Sequence, residues 1–138
     1  MRAQAKMLAL GLLLLAGAAD AVAEPEEAQP TYEVVDKDDI YFGSGKSPKA
    51  PATIRVDDVW AEIPEYKKIL ADDLGDDDPE YHLLFKKATE RFNKALEKVA
   101  KRESYDMIGE EGAIKVKGKS DVKIPDATAD LIEVVTRG

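Results

Sequence analysis

The sequence has no cysteine, one histidine and one tryptophan in 138 residues, and aromatic side chains make up only 7% of it. Without cysteine there is no disulfide scaffold, no thiolate metal site and no cysteine nucleophile. A single histidine leaves no second imidazole for a His-rich metal site or for a proton relay. Positive charge is also in short supply. Twenty Lys and Arg face 28 Asp and Glu, a net charge of −8, which argues against nucleic acid, where affinity comes from neutralising phosphates. The patterns G-x-S-x-G and H-E-x-x-H are absent too. The chain is therefore expected not to be an enzyme and to use no cofactor or metal, so its function should lie in its surfaces.

What is present begins with an address. Residues 1–23 combine a positive start (Arg2, Lys6), an uncharged apolar run from Met7 to Ala19, and small residues at Ala21 and Ala23 before Glu24. This is the layout of a secretory signal peptide cleaved between Ala23 and Glu24. A membrane span needs about 20 apolar residues, and Asp20 closes this run too early. No cysteine stands at the cleavage point for a lipid anchor, so no stable membrane anchor is expected after cleavage. Export places the chain in the periplasm or outside. Removing 1–23 takes away Arg2, Lys6 and Asp20, leaving 115 residues and a net charge of −9.

Residues 24–50 carry seven acids, three Lys, three Pro and two Gly, and read as a flexible acidic arm or linker in which 32–35 and 40–42 form at most short edge strands. Gly45-Lys46-Ser47 imitates the end of a phosphate-binding loop. The first glycine of that motif would fall on Ile40, and Pro48 stands where a helix should begin, so a turn is the better reading. Residues 52–56 predict a strand, with Asp57 or Asp58 capping a helix that follows. Pro64 interrupts that helix and restarts it, with Trp60, Ile63, Ile69 and Leu74 on its apolar face. The acids Asp72, Asp73, Asp76, Asp77 and Asp78 form a solvated turn. They do not match a calcium loop, since Lys87 occupies the position of its distal glutamate.

Asp78-Pro79 starts a helix over 79–103. Along it Tyr81, Phe85, Ala88, Phe92, Ala95 and Val99 are spaced by four and three in turn, a heptad seam for packing against another helix. Glu90–Lys94 and Glu97–Lys101 have the spacing of favourable i,i+4 pairs, and His82 falls outside the seam as an exposed side chain. Beyond residue 103 the period changes. Residues 105–108 and 113–117 predict strands around Gly109 and Gly112, and Pro125-Asp126 opens a last helix carrying Leu131, Ile132 and Val135 on one face. The expected fold is α+β: a small antiparallel β body with a helical hairpin inserted at about 57–103 and a C-terminal helix.

This layout, carried by ATIRVDDVWAEIPEYKKI at the front and YDMIGEEGAIKVKGKSDVKIPDATADLIEVV at the back, resembles the Skp/OmpH family of periplasmic chaperones. The back half ends in Asp126-Ala127-Thr128-Ala129-Asp130-Leu131-Ile132, similar to the family's "DIT-x-x-V/I" final helix. The resemblance makes 51–138 an Skp-like domain of a short-armed, acidic member. It implies a homotrimer whose β bodies join and whose arms hold unfolded outer-membrane proteins, and it assigns no client-binding residue here. Two functions are expected on these grounds. One is a periplasmic holdase or assembly factor for unfolded outer-membrane proteins, acting without covalent chemistry. The other is a trimeric interaction or structural module of the cell envelope with one specific protein partner.

Overall fold

The structure, a computed structural model, describes residues 30–118 and 121–137. The signal-peptide expectation, with Ala21, Ala23 and Glu24 at its cleavage point, lies outside these residues. Residues from Thr31 on belong to one compact unit, and it is α+β. Strands β1 (Tyr32–Val34) and β2 (Ile40–Phe42) flank a 3-10 turn, Lys37–Asp39. Strand β3 (Pro51–Ile54) leads into α1 (Val56–Trp60), α2 (Pro64–Ala71) and α3 (Pro79–Glu103). Strands β4 (Met107–Glu110) and β5 (Ile114–Val116) follow, then α4 (Thr128–Arg137).

Two expectations are corrected. The sheet is mixed rather than antiparallel: in the order β2-β4-β3, β2 runs antiparallel to β4 while β3 runs parallel to it, pairing Pro51 with Met107 and Ile54 with Glu110. The short edge strands allowed at 32–35 and 40–42 form, at Tyr32–Val34 and Ile40–Phe42, but they join the folded body instead of pairing with each other. β1 pairs antiparallel with β5, Tyr32 opposite Val116 and Val34 opposite Ile114, and not with β2. Tyr32, Met107 and Ile114 form a small buried cluster beneath this ribbon.

β3 is the centre of the design. On the side away from β4, Thr53 N–H donates to Pro125 O at 2.9 Å and Ala127 N–H donates to Thr53 O at 2.8 Å. Bonded on both edges, all four residues are buried, which is why the strand reads as an apolar run with no alternation. Pro51, lacking an N–H, stands at the first position, where none is needed. Asp106 fastens the entry: its carboxylate accepts from Lys49 N–H at 2.8 Å and Ala50 N–H at 3.0 Å. Gly43 passes the same point with φ +87°, and a Cβ there would lie 2.3 Å from Asp106 O.

The helices follow their sequence signals closely, with differences at the caps. Pro64 and Pro79 each take the first turn of a new helix, where a missing N–H costs nothing. Arg55, rather than Asp57 or Asp58, is the N-cap of α1, with no side-chain cap bond. Asp78 sits at the N-cap of α3, yet its carboxylate accepts from Gly75 N–H at 2.9 Å and closes the preceding turn instead. α3 ends at Ser104 in a left-handed conformation (φ 62°), with Lys101 and Arg102 in the last turn, where positive charge suits the helix dipole.

The heptad seam divides. Ala88, Phe92, Ala95 and Val99, joined by Leu96 and Ala100, are buried within the single chain, against Ile54, Val59, Ile63, Ile108, Leu131 and Val135. The small alanines let neighbouring elements approach α3 closely. α2 and α4 are its main helical neighbours, with β2 and β4 behind. At ~1.5 Å per residue α3 runs roughly 37 Å, whereas α2 and α4 cover about 12 and 15 Å. α4 lies along the second half of α3, where Arg91 reaches Val135 O and Arg102 meets Asp130, so the first turns of α3 have α2 but not α4 alongside, and Tyr81 and Phe85 are left partly in solvent.

Candidate interaction surfaces

At that uncovered end the aromatic residues gather. Trp60, at the end of α1, meets Phe85 at a centroid distance of 5.5 Å, Tyr66 edge-on at 5.5 Å and Phe92 at 5.8 Å. Phe85 stacks on Tyr81 at 5.8 Å, and on the inner side Tyr41 meets Phe92 edge-on at 5.9 Å. The result is a strip of rings that starts in the core at Phe92 and emerges through Trp60 and Phe85 to Tyr81. Phe85 is 41% exposed, and Leu70 and Leu83 on the same helical pair are exposed as well. Ring–ring contacts hold such side chains in place at low entropic cost, so they present apolar area already ordered.

A second surface lies between α3 and α4, where a groove of about 540 Å³ opens. Lys87, Arg91, Lys94, Lys98 and Arg102 line it from α3 and Arg137 from α4, against the carboxylates of Glu65, Glu90 and Glu133, with Ala95 and Val134 as apolar wall. The arginines are engaged. Arg91 forms a bidentate pair with Glu65 at 2.8 and 2.9 Å and reaches Val135 O at 3.4 Å. Arg102 pairs with Glu103 at 3.0 Å and Asp130 at 3.4 Å, and Arg137 with Glu133 at 3.0 Å. The Arg91 hydrogen bonds hold the Glu65 carboxyl below the usual carboxylate range despite burial, and the same bonds push the Arg91 guanidinium up.

The lysines differ. Among the described residues Lys87, Lys94 and Lys98 form no ion pair, and neither expected i,i+4 pair, Glu90–Lys94 or Glu97–Lys101, is made. An exposed pair gains little over two hydrated ions and costs rotamer freedom. The spacing of 87, 91, 94, 98 and 102 puts these cations on one helix face. A net charge of −8 concealed that stripe, although its period was there to be read.

The remaining polar groups are structural. Arg55 bonds Asp58 at 2.8 Å and Asp126 at 2.6 Å, with Glu111 at 3.8 Å, tying the end of β3 to the start of α4. The Asp126 carboxyl is held below its usual range, first by Thr128 and then, after opposing burial, by Arg55. Glu110 Oε1 accepts from Tyr41 O–H at 2.8 Å and Val56 N–H at 3.1 Å, and burial with that contact pushes the Tyr41 hydroxyl well up. His82 is exposed and contacts Asp76 O. Gly45, Lys46 and Ser47 lie in an exposed loop that leads to β3, not to a helix, and Lys46 O accepts from Val34 N–H at 3.0 Å. Among the described residues no group of three or more metal-ligating side chains is poised for an ion, and no helix is long and apolar enough to cross a membrane.

Compared with protein-family models, with curated proteins and with solved structures, the chain matches none.

Proposed function

We propose that this chain is an exported binding protein of the cell envelope that engages a polypeptide partner without covalent chemistry, through the strip Trp60–Phe85–Tyr81. The observation that carries this reading is the partial exposure of rings locked by one another toward the turn end of the helical hairpin. Ordered aromatics emerging from a core are the kind of anchor on which protein interfaces concentrate their energy. Burial of the seam from Ala88 to Val99 inside one chain favours a module with one specific partner over a pair of free arms enclosing a client. The Skp-like architecture and the homotrimer belong to this proposal. The short β1 and β2, at the edges of their sheets, are the strands through which three bodies could join.

A holdase for unfolded outer-membrane proteins is the second reading, favoured by the exposed Leu70, one helical turn beyond Tyr66, and the exposed Leu83 on the opposite face of α3, which suit apolar segments of varied sequence. Trp60, the only tryptophan, makes the test direct. Adding a urea-diluted outer-membrane β-barrel protein is expected to shift Trp60 emission and to slow that protein's aggregation. Phe85→Ser should abolish both effects while leaving the far-ultraviolet spectrum intact. An unchanged Trp60 emission overturns the holdase. A pulldown from envelope extract that yields neither one stoichiometric partner nor a set of barrel proteins, or whose yield survives Phe85→Ser, overturns the wider reading.

A further inference from the structure

The groove between α3 and α4 is a local reversal of charge, six cations against three carboxylates in a chain of net −8. Its carboxylates are partly spent, since Glu65 and Glu133 are taken by Arg91 and Arg137. Lys87, Lys94 and Lys98 line the groove without an ion pair, and Lys87 acts only at longer range on Glu65, which Arg91 already holds. We propose that this groove binds a short, extended, acidic segment of a partner protein, independently of the aromatic strip.

The spacing supports that occupant. Along α3 the ammonium-bearing positions 94 and 98 are separated by a rise of ~6 Å, and 87 and 94 by ~10 Å. In an extended peptide, side chains on one face recur every ~6.6 Å. Carboxylates two residues apart therefore match Lys94 and Lys98, and the next acid on the same face, ~6.6 Å further on, stops ~4 Å short of the level of Lys87, a gap that the long lysine side chain spans. The aliphatic stems of such acids have Val134 as an apolar wall to lie on, with Ala95 buried at the base of the groove. Lysine suits this role, because a carboxylate approaching a single hydrated ammonium needs no fixed bidentate geometry.

The chain's own charge decides between a short anion and an extended one. At physiological salt a field decays within ~8 Å, so a peptide of a few residues feels mainly the groove. A phospholipid surface or a long polyanion would also meet the acid-rich remainder of the molecule, including the turn from Asp72 to Asp78. The fit is thus to an acidic peptide.

The test is fluorescence anisotropy with a fluorescein-labelled hexapeptide of alternating glutamate and alanine, titrated with the protein at low salt. Its lysine–alanine counterpart, inorganic phosphate as competitor, and phosphatidylglycerol vesicles serve as comparisons. Saturable binding of the glutamate peptide is expected, weakened roughly tenfold by the double variant Lys94→Glu, Lys98→Glu and weakened by added salt. Lys117→Glu with Lys123→Glu, the same change in net charge outside the groove, should alter it less than about threefold. Lys94 and Lys98 are exposed, and Lys94→Gln with Lys98→Gln repeats the experiment without new like-charge contacts. No saturable binding overturns the proposal. Equal weakening by both glutamate pairs does so as well, as does competition by phosphate or vesicles at concentrations equal to the peptide's.

Discussion

The Glu65–Arg91 pair is the sharpest place to perturb this molecule. It joins α2 to α3 through two short bonds, and Arg91 adds a third contact to α4 through Val135 O. Its side chains are 17% and 24% exposed, between the limits for which costs are known. Breaking a fully buried pair from one side costs about 3–5 kcal/mol, whereas exposed pairs contribute roughly 0.2–1 kcal/mol. Arg91→Ala, which leaves a half-covered carboxylate without its two charge-assisted bonds, should cost about 2 kcal/mol. Glu65→Ala should cost about the same, and the double variant about 2.5 kcal/mol, leaving a coupling of about 1.5 kcal/mol. For a unit of this size that is a loss of about 7 °C in Tm for each single variant. Urea unfolding followed at Trp60, which contacts Tyr66 on α2, measures all four corners of the cycle. The pH dependence has a definite sign. Because the folded Glu65 carboxyl lies below its ordinary value, its contribution is fully present above the unfolded pKa of about 4.3. It is lost as pH falls through the lower, folded value. The gap between the wild type and Glu65→Gln should therefore be constant above about pH 5 and shrink steadily below pH 4. A coupling under about 0.3 kcal/mol, or a gap that widens on acidification, would refute this account.

Three further outcomes are expected. Gly43→Ala puts a Cβ 2.3 Å from Asp106 O at a φ of +87°, so it should lower stability by about 2 kcal/mol or more in thermal melts, where Gly45→Ala, with nothing nearby, should cost less. Phe92→Ala should cost about 3–5 kcal/mol and Phe85→Ala under half of that in the same urea titration, since only the first ring is buried. Deleting 24–36 removes β1 and uncovers Met107 and Ile114; it should cost about 2–3 kcal/mol of buried apolar area, where loss of a flexible arm would cost nothing, and calorimetry separates the two.

The helices were legible because their signals are local. Pro64 and Pro79 announce starts, and the period through Ala88, Phe92, Ala95 and Val99 fixes the buried face whatever packs on it. The strands were legible only one at a time. Ile54 and Ile108 are apolar in any pairing, and nothing near β3 says that it runs parallel to β4 while Pro125 and Ala127 close its far edge. β1 was legible only as a possible edge strand in an acid-rich stretch, because three residues with one buried ring, Tyr32, carry nothing that names β5 as their partner. The aromatic strip was half visible: Trp60 and Phe85 were both placed on apolar faces, and only the position of α4, along the other half of α3, reveals that Phe85 emerges from cover. The basic groove was hidden by arithmetic, since net charge discards position.

The parallel pairing of β3 with β4 also dictates an order of events. Pro51 finds Met107 only after the whole helical excursion lies between them, Tyr32 finds Val116 later in the chain, and Thr53 waits for Asp126. Contacts within and between α2 and α3 are short-range and form fast, while sheet contacts of such long sequence separation are slow. A growing or newly delivered chain therefore passes through a stage in which the hairpin exists and its strands have no partners. Assembly is completed from the C-terminal end, when Pro125–Ala127 lock onto β3. Residues 125–127 thus act as the latch of the sheet, and a chain cut short before them loses α4 and the far edge of β3 together.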